Sequence, residues 1–430
     1  MLNAAPGSRP LVDQLRDTLE YAVSRIPWYR QRASAYSRPV ENRADLATLP
    51  IIDRATVLAD PSAFTATEEW PSSIIYSSST TGGVGRPRWR NAAELRAWVE
   101  VLASQPEPTG TTLAIHPFDQ GPPILPPGVS NRLYVGMLVP WHFELIHDLL
   151  AHGWSSPAGP RHITTVDCFS PGLRILTEWL EQRAIDPREF GVERLVGYGS
   201  LQPQPWRDRL RSAWGATYLD LYGTTDIILS EAVQCPLCHA YHFPHPVIVE
   251  VVDGVTRQPI TEGTGVLLLS ELYPFAQMQV LVRYWTDDLV EIAKPCPLGG
   301  FGLLLRGRYA TSAVVARVER EPLLVGALQV AEACADLADV ALATIGWAPW
   351  AIDVGLPRFS LRSHGSELSV TVELRYSPSL FPAPAAHARD VLADRLLASV
   401  TGLAEAVADG EVALAVHTVG PGRLTEPTTL

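Results

Sequence analysis

The chain has 430 residues, 47% of them hydrophobic and 19% charged, and a formal net charge of −12. At roughly 150 residues per domain, this length predicts two or three domains, or one large domain followed by a small one. The acidic balance argues against non-specific nucleic-acid binding and against a polybasic membrane role, which both need positive surface, and no apolar run approaches the ~18 to 20 residues of a membrane helix. Five cysteines, an odd number, follow an N-terminus ("MLNAAPGSRPLVDQLRDTLEYAV") without a signal-peptide pattern, which argues against a disulfide framework and predicts a cytoplasmic protein. Lys294 is the only lysine; arginine supplies the rest of the positive charge.

In chain order, 11–36 predicts an amphipathic helix, and "LATLPIIDRATVLAD" a turn into a short helix. From about 112 to 220, short apolar stretches ("TTLAIHP", "NRLYVGMLVP", "RHITTVD", "ERLVGYGS", "ATYLDLYG") alternate with helical ones ("WHFELIHDLLAHGW", "GLRILTEWLEQRAI", "QPWRDRLRSAWG"), the pattern of a parallel α/β sheet. Between 246 and 293 the runs "PVIVEVVD", "GVLLLSEL", "QVLVRYW" and "LVEIA" predict an antiparallel β subdomain. After "LLRGRY" come "LSVTVELRY", a long Ala/Leu helix at 385–408 and a closing strand "EVALAVHTV". The expected fold is therefore α/β: a large N-terminal domain over 1–306 with parallel α/β sheets plus a β subdomain, then a small α+β domain over 307–430. The Pro-rich stretches 117–128 and 378–384 read as loops.

Three runs carry chemistry. "SSSTTGGVGRPRWR", 77–90, combines glycines that permit positive φ with hydroxyls and backbone amides able to face phosphate oxygens, but lacks the Gly-Lys-Ser/Thr ending of a P-loop. "DLYGTTD", 220–226, follows a strand and ends in a carboxylate suited to Mg²⁺. "VRYWTDDL", 282–289, places an arginine and two aspartates at the end of another strand. In this order and spacing the runs resemble those of the adenylate-forming superfamily of acyl-CoA synthetases, luciferases and peptide-synthetase adenylation domains. The resemblance is nearest to the phenylacetate-CoA ligase branch, with its Ser-Ser-Gly-Thr-Thr-Gly-x-Pro-Lys, Tyr-Gly-x-Thr-Glu and Arg-Tyr-Arg-Thr-Gly-Asp-Leu runs; "LRDTLEYAVSRIPWYRQRA" and "AIDPREFGVERLVGYGS" resemble further segments of it.

That resemblance implies ATP and Mg²⁺ as cofactors. Ser78, Thr80, Thr81 and Gly82 would wrap the phosphates, with Arg88 in the place of the family lysine. Gly199 and Ser200 would lie along the adenine, and Tyr222 and Gly223 would stack against it with Thr224 beside them. Thr225 would approach the α-phosphate, Asp226 would hold Mg²⁺, Asp288 would bind the ribose hydroxyls, and Arg308 would sit near the interdomain hinge. Ser79 and Asp287 replace family glycines.

"CPLCHAYHFPHP" and the later "CPLGG" form another constellation: Cys235, Cys238 and His242 with Cys296 have the ligand types and spacing of a tetrahedral Zn²⁺ set, structural rather than catalytic. Relatives in the branch carry Cys-x6-His followed by Cys-x-Cys-Gly; here Leu298 replaces the last cysteine and Cys238 supplies the missing ligand.

The function implied is ATP-dependent adenylation of a small carboxylic acid, aryl or arylalkyl, with transfer of the acyl group to CoA, a carrier-protein thiol or an amine. No nucleic-acid or membrane partner is expected, and a homodimer is allowed. The alternative is a degenerate homologue acting in the second half-reaction only, or as a binding partner. In the family a lysine in a loop of the small domain reaches the substrate carboxylate and α-phosphate. Here "EVALAVHTV" leads into "GPGRLTEPTTL", 307–430 holds no lysine, and Arg423 is the nearest substitute, which implies slow adenylation.

Overall fold

Pro27 interrupts the expected 11–36 helix. The residue before a proline is pushed toward extended backbone, and Ile26 accordingly takes φ −107°, ψ 121° and ends Leu11–Arg25; Pro27–Arg30 and Ala33–Tyr36 follow as separate short helices. The first helix buries Leu11, Leu15, Thr18, Leu19 and Ala22 along one stripe. The structure, a computed structural model, describes residues 10–36, 38–68, 70–76, 87–103, 110–116, 132–156, 159–244, 246–318, 320–346 and 353–429. The chain is mixed α/β, the expected class, and divides into two compact units. One takes in the described residues of 1–107 and 221–305, the other those of 108–220 and 306–430.

In the first unit Asp53 caps the helix Arg54–Ala59 by accepting from Thr56 N at 2.8 Å. The hairpin of Ser73–Tyr76 with Pro87–Arg90 brackets the hydroxyl-rich run, with Ile75 opposite Arg88 and Tyr76 opposite Pro87. The β subdomain is antiparallel, as expected: Ile248–Val252 pairs with Thr264–Ser270, and Thr264–Ser270 with Tyr284–Ile292. "QVLVRYW" was expected to be strand throughout, yet the strand begins only at Tyr284. Side chains satisfy the backbone before that point. Glu271 Oε2 accepts from Leu281 N at 2.8 Å, Tyr29 Oη from Val282 N at 3.1 Å and Ser270 Oγ from Arg283 N at 2.8 Å. A buried N–H must find some acceptor, and these replace a strand neighbour.

Arg283 sits at φ +54° with 2% exposure. Its Nε meets Glu250 Oε2 at 3.1 Å, and Nη1 donates to the carbonyls of Ala47 (2.9 Å) and Leu49 (2.6 Å). This motif arginine is therefore committed to the scaffold. Arg283→Ala is expected to destabilise the chain by about 3–5 kcal/mol, because it removes the opposite charge from beside a buried carboxylate; the urea midpoint measures it.

In the second unit, the strands Arg132–Val135, Thr111–Ile115, Ile163–Phe169 and Arg194–Tyr198 are parallel neighbours in that order, with Thr217–Tyr222 next. Leu113, Ile115, Val166, Cys168 and Leu195 face a core made with Phe143, Ile146, Leu176, Trp179, Leu210 and Trp214. Those last residues come from the helices Pro140–His152, Ser170–Glu181 and Gln204–Trp214, the three expected between the strands. Arg207 and Asp220 form an ion pair at 3.0 Å with 4% side-chain exposure each.

The α+β module of this unit stacks Phe359–His364, Glu367–Glu373 and Ala413–Val419 into one sheet, antiparallel then parallel. The expected 385–408 helix is two, Pro382–Ser399 and Leu403–Ala408, broken where Gly402 takes φ +79°. Leu392, Leu396, Leu403, Val370 and Val372 pack one core. Trp206 Nε1 donates to Ala335 O at 2.8 Å, tying the helix Gln204–Trp214 to the module. A unit edge falls between Leu305 and Arg306, beside the expected 306/307 boundary, and 108–220 group with 306–430.

Candidate nucleotide site and metal centre

Ser78, Thr80, Thr81 and Gly82 lie outside the described residues. The flanking strand is described, and it places Arg88 unexpectedly. Arg88 was expected among the phosphate ligands, but its side chain has no exposure and its Nη2 donates to Glu271 Oε1 at 2.5 Å. The guanidinium is paired with a carboxylate inside the first unit.

The run Tyr222–Asp226 opens the loop 223–231, whose base is closed by antiparallel pairing of Tyr222 with Ala232 and Leu221 with Val233. Ser230 Oγ clamps the loop from within, accepting from Thr224 N and donating to Thr224 O, both at 3.0 Å. Thr224 Oγ1 accepts from Asp226 N at 3.3 Å. The hydroxyls and backbone are thus spent on shape, while Gly223 and Thr225 remain exposed.

Two tyrosine–carboxylate pairs cross between this loop and the strand Tyr284–Ile292. Tyr222 Oη donates to Asp288 Oδ2 and Tyr284 Oη to Asp226 Oδ2, each at 2.6 Å. Asp226 is 7% and Asp288 8% exposed, and Arg54 Nη1 stands 3.9 Å from Asp226 Oδ2. The expected Mg²⁺ carboxylate and the expected ribose carboxylate are therefore brought to one place, on two adjoining segments. The Tyr222 ring lies edge-on to Phe243, with centroids 6.0 Å apart. Asp288 N donates to Thr286 Oγ1 at 3.1 Å, and Asp287 takes φ +66°. The residue types fit a nucleotide–cation complex: carboxylates for the cation and hydroxyls beside them.

Gly199 and Ser200 belong to the second unit. Gly199 has φ +76°, and a Cβ there would stand 2.7 Å from the Phe169 ring, so only glycine fits. Arg308 is half-buried, and its carbonyl accepts from Ser312 Oγ at 2.6 Å. Arg423 is exposed, in a turn closed by its own N–H to Gly420 O at 3.1 Å. The neighbouring N–H groups of Gly422 and Leu424 donate to Glu373 at 3.1 and 3.2 Å. Burial pushes the Glu373 carboxyl up, but those two bonds and Arg358 outweigh it and hold it below the usual carboxylate range.

Cys235, Cys238, His242 and Cys296 gather in the first unit with their donor atoms all within 4.8 Å of one another. Cys235 Sγ is 3.8 Å from Cys296 Sγ, and Cys238 Sγ is 3.2 Å from His242 Nε2. Bonds of ~2.3 Å from a tetrahedral centre put sulfurs about 3.8 Å apart, so the set fits Zn²⁺. The N–H groups of Cys238 and Leu237 lower the Cys235 thiol pKa, whereas burial raises that of Cys238 to about 11. Gly302 makes room for the imidazole: a Cβ there would lie 3.2 Å from His242 Nε2. Zinc held here would be structural, joining the segment after the Asp226 loop to the end of the β subdomain.

Sequence reasoning missed Tyr284, Arg54, Glu271 and Gly302. Tyr284 was within reach, since it lies inside the "RYWTDD" run; the others carry no local signal. No helix among the described residues is long and apolar enough to cross a membrane.

No protein-family model and no curated protein matches the chain. Solved structures do. An open conformation of 2-hydroxyisobutyryl-CoA ligase in complex with 2-HIB-AMP and CoA matches with a TM-score of 0.68 at 15% identity, over 97% of this chain and 88% of that one. The same ligase in the postadenylation state with R3-HIB-AMP matches with a TM-score of 0.65 at 15% identity, over 98% and 87%. In its thioesterification state with 2-HIB-AMP and CoA, the values are 0.57, 16%, 97% and 87%. The chain thus has the fold of these acyl-CoA ligases.

Proposed function

We propose that the chain uses ATP to adenylate a small carboxylic acid and passes the acyl group to CoA. The observation that carries this reading is the crossed pair Tyr222–Asp288 and Tyr284–Asp226, which ties each motif carboxylate to a tyrosine of the other's segment. In this reading the carboxylate oxygen of the acid attacks the α-phosphorus, the bond to pyrophosphate breaks, and the thiol of CoA then displaces AMP from the acyl carbon. Asp226 holds the Mg²⁺ of MgATP, which supplies charge neutralisation, and Asp288 binds the ribose. The run with Ser78, Thr80, Thr81 and Gly82, outside the described residues, holds the phosphates, and Gly199 and Ser200 flank the base. Zn²⁺ at Cys235, Cys238, His242 and Cys296 has no step in the reaction. The motif resemblance to phenylacetate-CoA ligases favours an aryl or arylalkyl acid.

One observation favours a second reading, in which the chain carries out only acyl transfer from a ready-made adenylate. Arg88, which stands where the family lysine would be, is buried on Glu271. Fewer preorganised cations at the developing phosphate charge mean slower adenylation.

Exchange of labelled pyrophosphate into ATP, measured over a panel of aryl, arylalkyl and short hydroxy acids, decides between them. Acid-dependent exchange is the expected result. Absence of exchange with every acid, together with rapid consumption of synthetic acyl-adenylate and CoA, would replace the first reading by the second.

A further inference from the structure

The hairpin bracketing 77–86, the Asp226 loop and the segment leading into Tyr284–Ile292 come from three distant parts of the sequence. In the first unit all three are tied to one side chain that belongs to none of the motifs. Glu271 is 1% exposed. Its Oε1 accepts from Arg88 Nη2 at 2.5 Å and from Ile228 N at 2.9 Å, and its Oε2 accepts from Leu281 N at 2.8 Å. Arg90 Nη1 stands 3.6 Å from the same Oε1. The Glu271 N–H in turn donates to Leu281 O at 2.9 Å. Arg88 comes just after the hydroxyl-rich run, Ile228 just after Asp226, and Leu281 just before Arg283.

Stability alone does not account for this arrangement. A buried ion pair is often matched or surpassed by well-packed apolar residues, and here Arg88 Nε and Nη1 have no hydrogen-bond partner among the described residues. Charge-assisted bonds of 2.5–2.9 Å do something an apolar contact cannot: they fix three segments at set distances from a common centre. Groups that must meet phosphate, cation and ribose at once need placement to about 0.5 Å.

We infer that Glu271 is a positioning residue, which through Arg88, Ile228 and Leu281 holds the three nucleotide segments in register. The inference rests on the nucleotide-dependent function proposed above. Glu271→Gln removes the charge and puts an amide NH₂ where an acceptor is needed. The Glu271→Gln/Arg88→Met double variant also removes the Arg88 cation, while Arg90 keeps Glu94 Oε1 at 3.9 Å as its opposite charge.

The test is AMP affinity by calorimetry, the KM values for ATP and for the acid, and the melting temperature, on wild type and both variants. Glu271→Gln is expected to weaken AMP and raise the ATP KM on the order of 10- to 100-fold, with the acid KM changed less than about twofold. The double variant is expected to recover the melting temperature but not the AMP affinity. Affinity that recovers together with melting temperature, or a folded variant that binds AMP as wild type does, overturns the positioning role and leaves the proposed function standing. Wild-type protein that binds neither AMP nor ATP overturns the proposed function, and this inference with it.

Discussion

Asp226→Ala is expected to lower acid-dependent ATP–pyrophosphate exchange on the order of 10²- to 10³-fold or more while leaving the chain folded. The carboxylate is held in place from two directions, by Tyr284 Oη at 2.6 Å and by the Thr224 hydroxyl through the Asp226 N–H at 3.3 Å. Arg54 Nη1, partly exposed, stands 3.9 Å from the same carboxylate. Removing the carboxylate takes an acceptor from the Tyr284 hydroxyl, which costs about 1–3 kcal/mol, against a typical stability of about 5–15 kcal/mol. The melting temperature should therefore fall modestly and exchange should collapse. Asp226→Asn separates the two effects. Its amide oxygen can still accept from Tyr284, so stability should return toward wild type, while the missing negative charge keeps exchange low at every Mg²⁺ concentration. Tyr284→Phe should be milder than either, since the carboxylate remains. Exchange unchanged in Asp226→Ala would take this residue out of the site.

Cys296→Ser is expected to lose bound zinc and to melt well below wild type. Freshly purified protein should carry about one zinc per chain, because four soft or borderline donors within 4.8 Å are costly to bring together without an ion. Cys235 and Cys296 are both buried, at 9% and 7% exposure, with sulfurs 3.8 Å apart. Without a metal one thiolate would face another donor at that distance in a poorly solvated place. Binding free energy at such a site is folding free energy. A loss of about 3 kcal/mol would lower the midpoint by roughly 6–12 °C at the ~2–4 °C per kcal/mol typical of large domains. A chelator should reproduce the shift in wild type and add nothing in Cys296→Ser. Cys334→Ala, which alters a buried cysteine of the other core, should keep its zinc. Metal analysis that finds no zinc in the wild-type protein would end the assignment.

The residues lost to sequence reasoning share a property. Arg88 and Glu271 lie 183 positions apart, and Tyr284 and Asp226 58 apart. Spacing within a run reports only what the local backbone can do with those residues. It cannot say which of two arginines will meet a buried carboxylate, so Arg88 read as a phosphate ligand and Glu271 went unread. The late start of the strand at Tyr284 has the same origin: Glu271, Tyr29 and Ser270 satisfy backbone N–H groups that a local pattern assigns to a neighbouring strand. The break at Pro27 was local and could have been read from the proline itself.

By itself the sequence determined what depends on period and residue chemistry. Alternating strands and helices over 112–220 gave the parallel sheet because one face of each element must be apolar to meet the core. The ligand types and spacing of "CPLCHAYH" and "CPLGG" gave a tetrahedral donor set, which the structure gathers. "YGTTD" and "RYWTDD" gave two motif carboxylates, though Asp288 lies inside the strand Tyr284–Ile292 and not at the end of one as expected. Tertiary structure alone decided that those carboxylates would each take a tyrosine hydroxyl from the other's segment, that Arg88 would turn inward, and that one glutamate would tie three motif segments together. Each of these outcomes is a pairing of polar groups taken out of water. The free energy of such a pairing depends on which partner is in reach once the chain has folded.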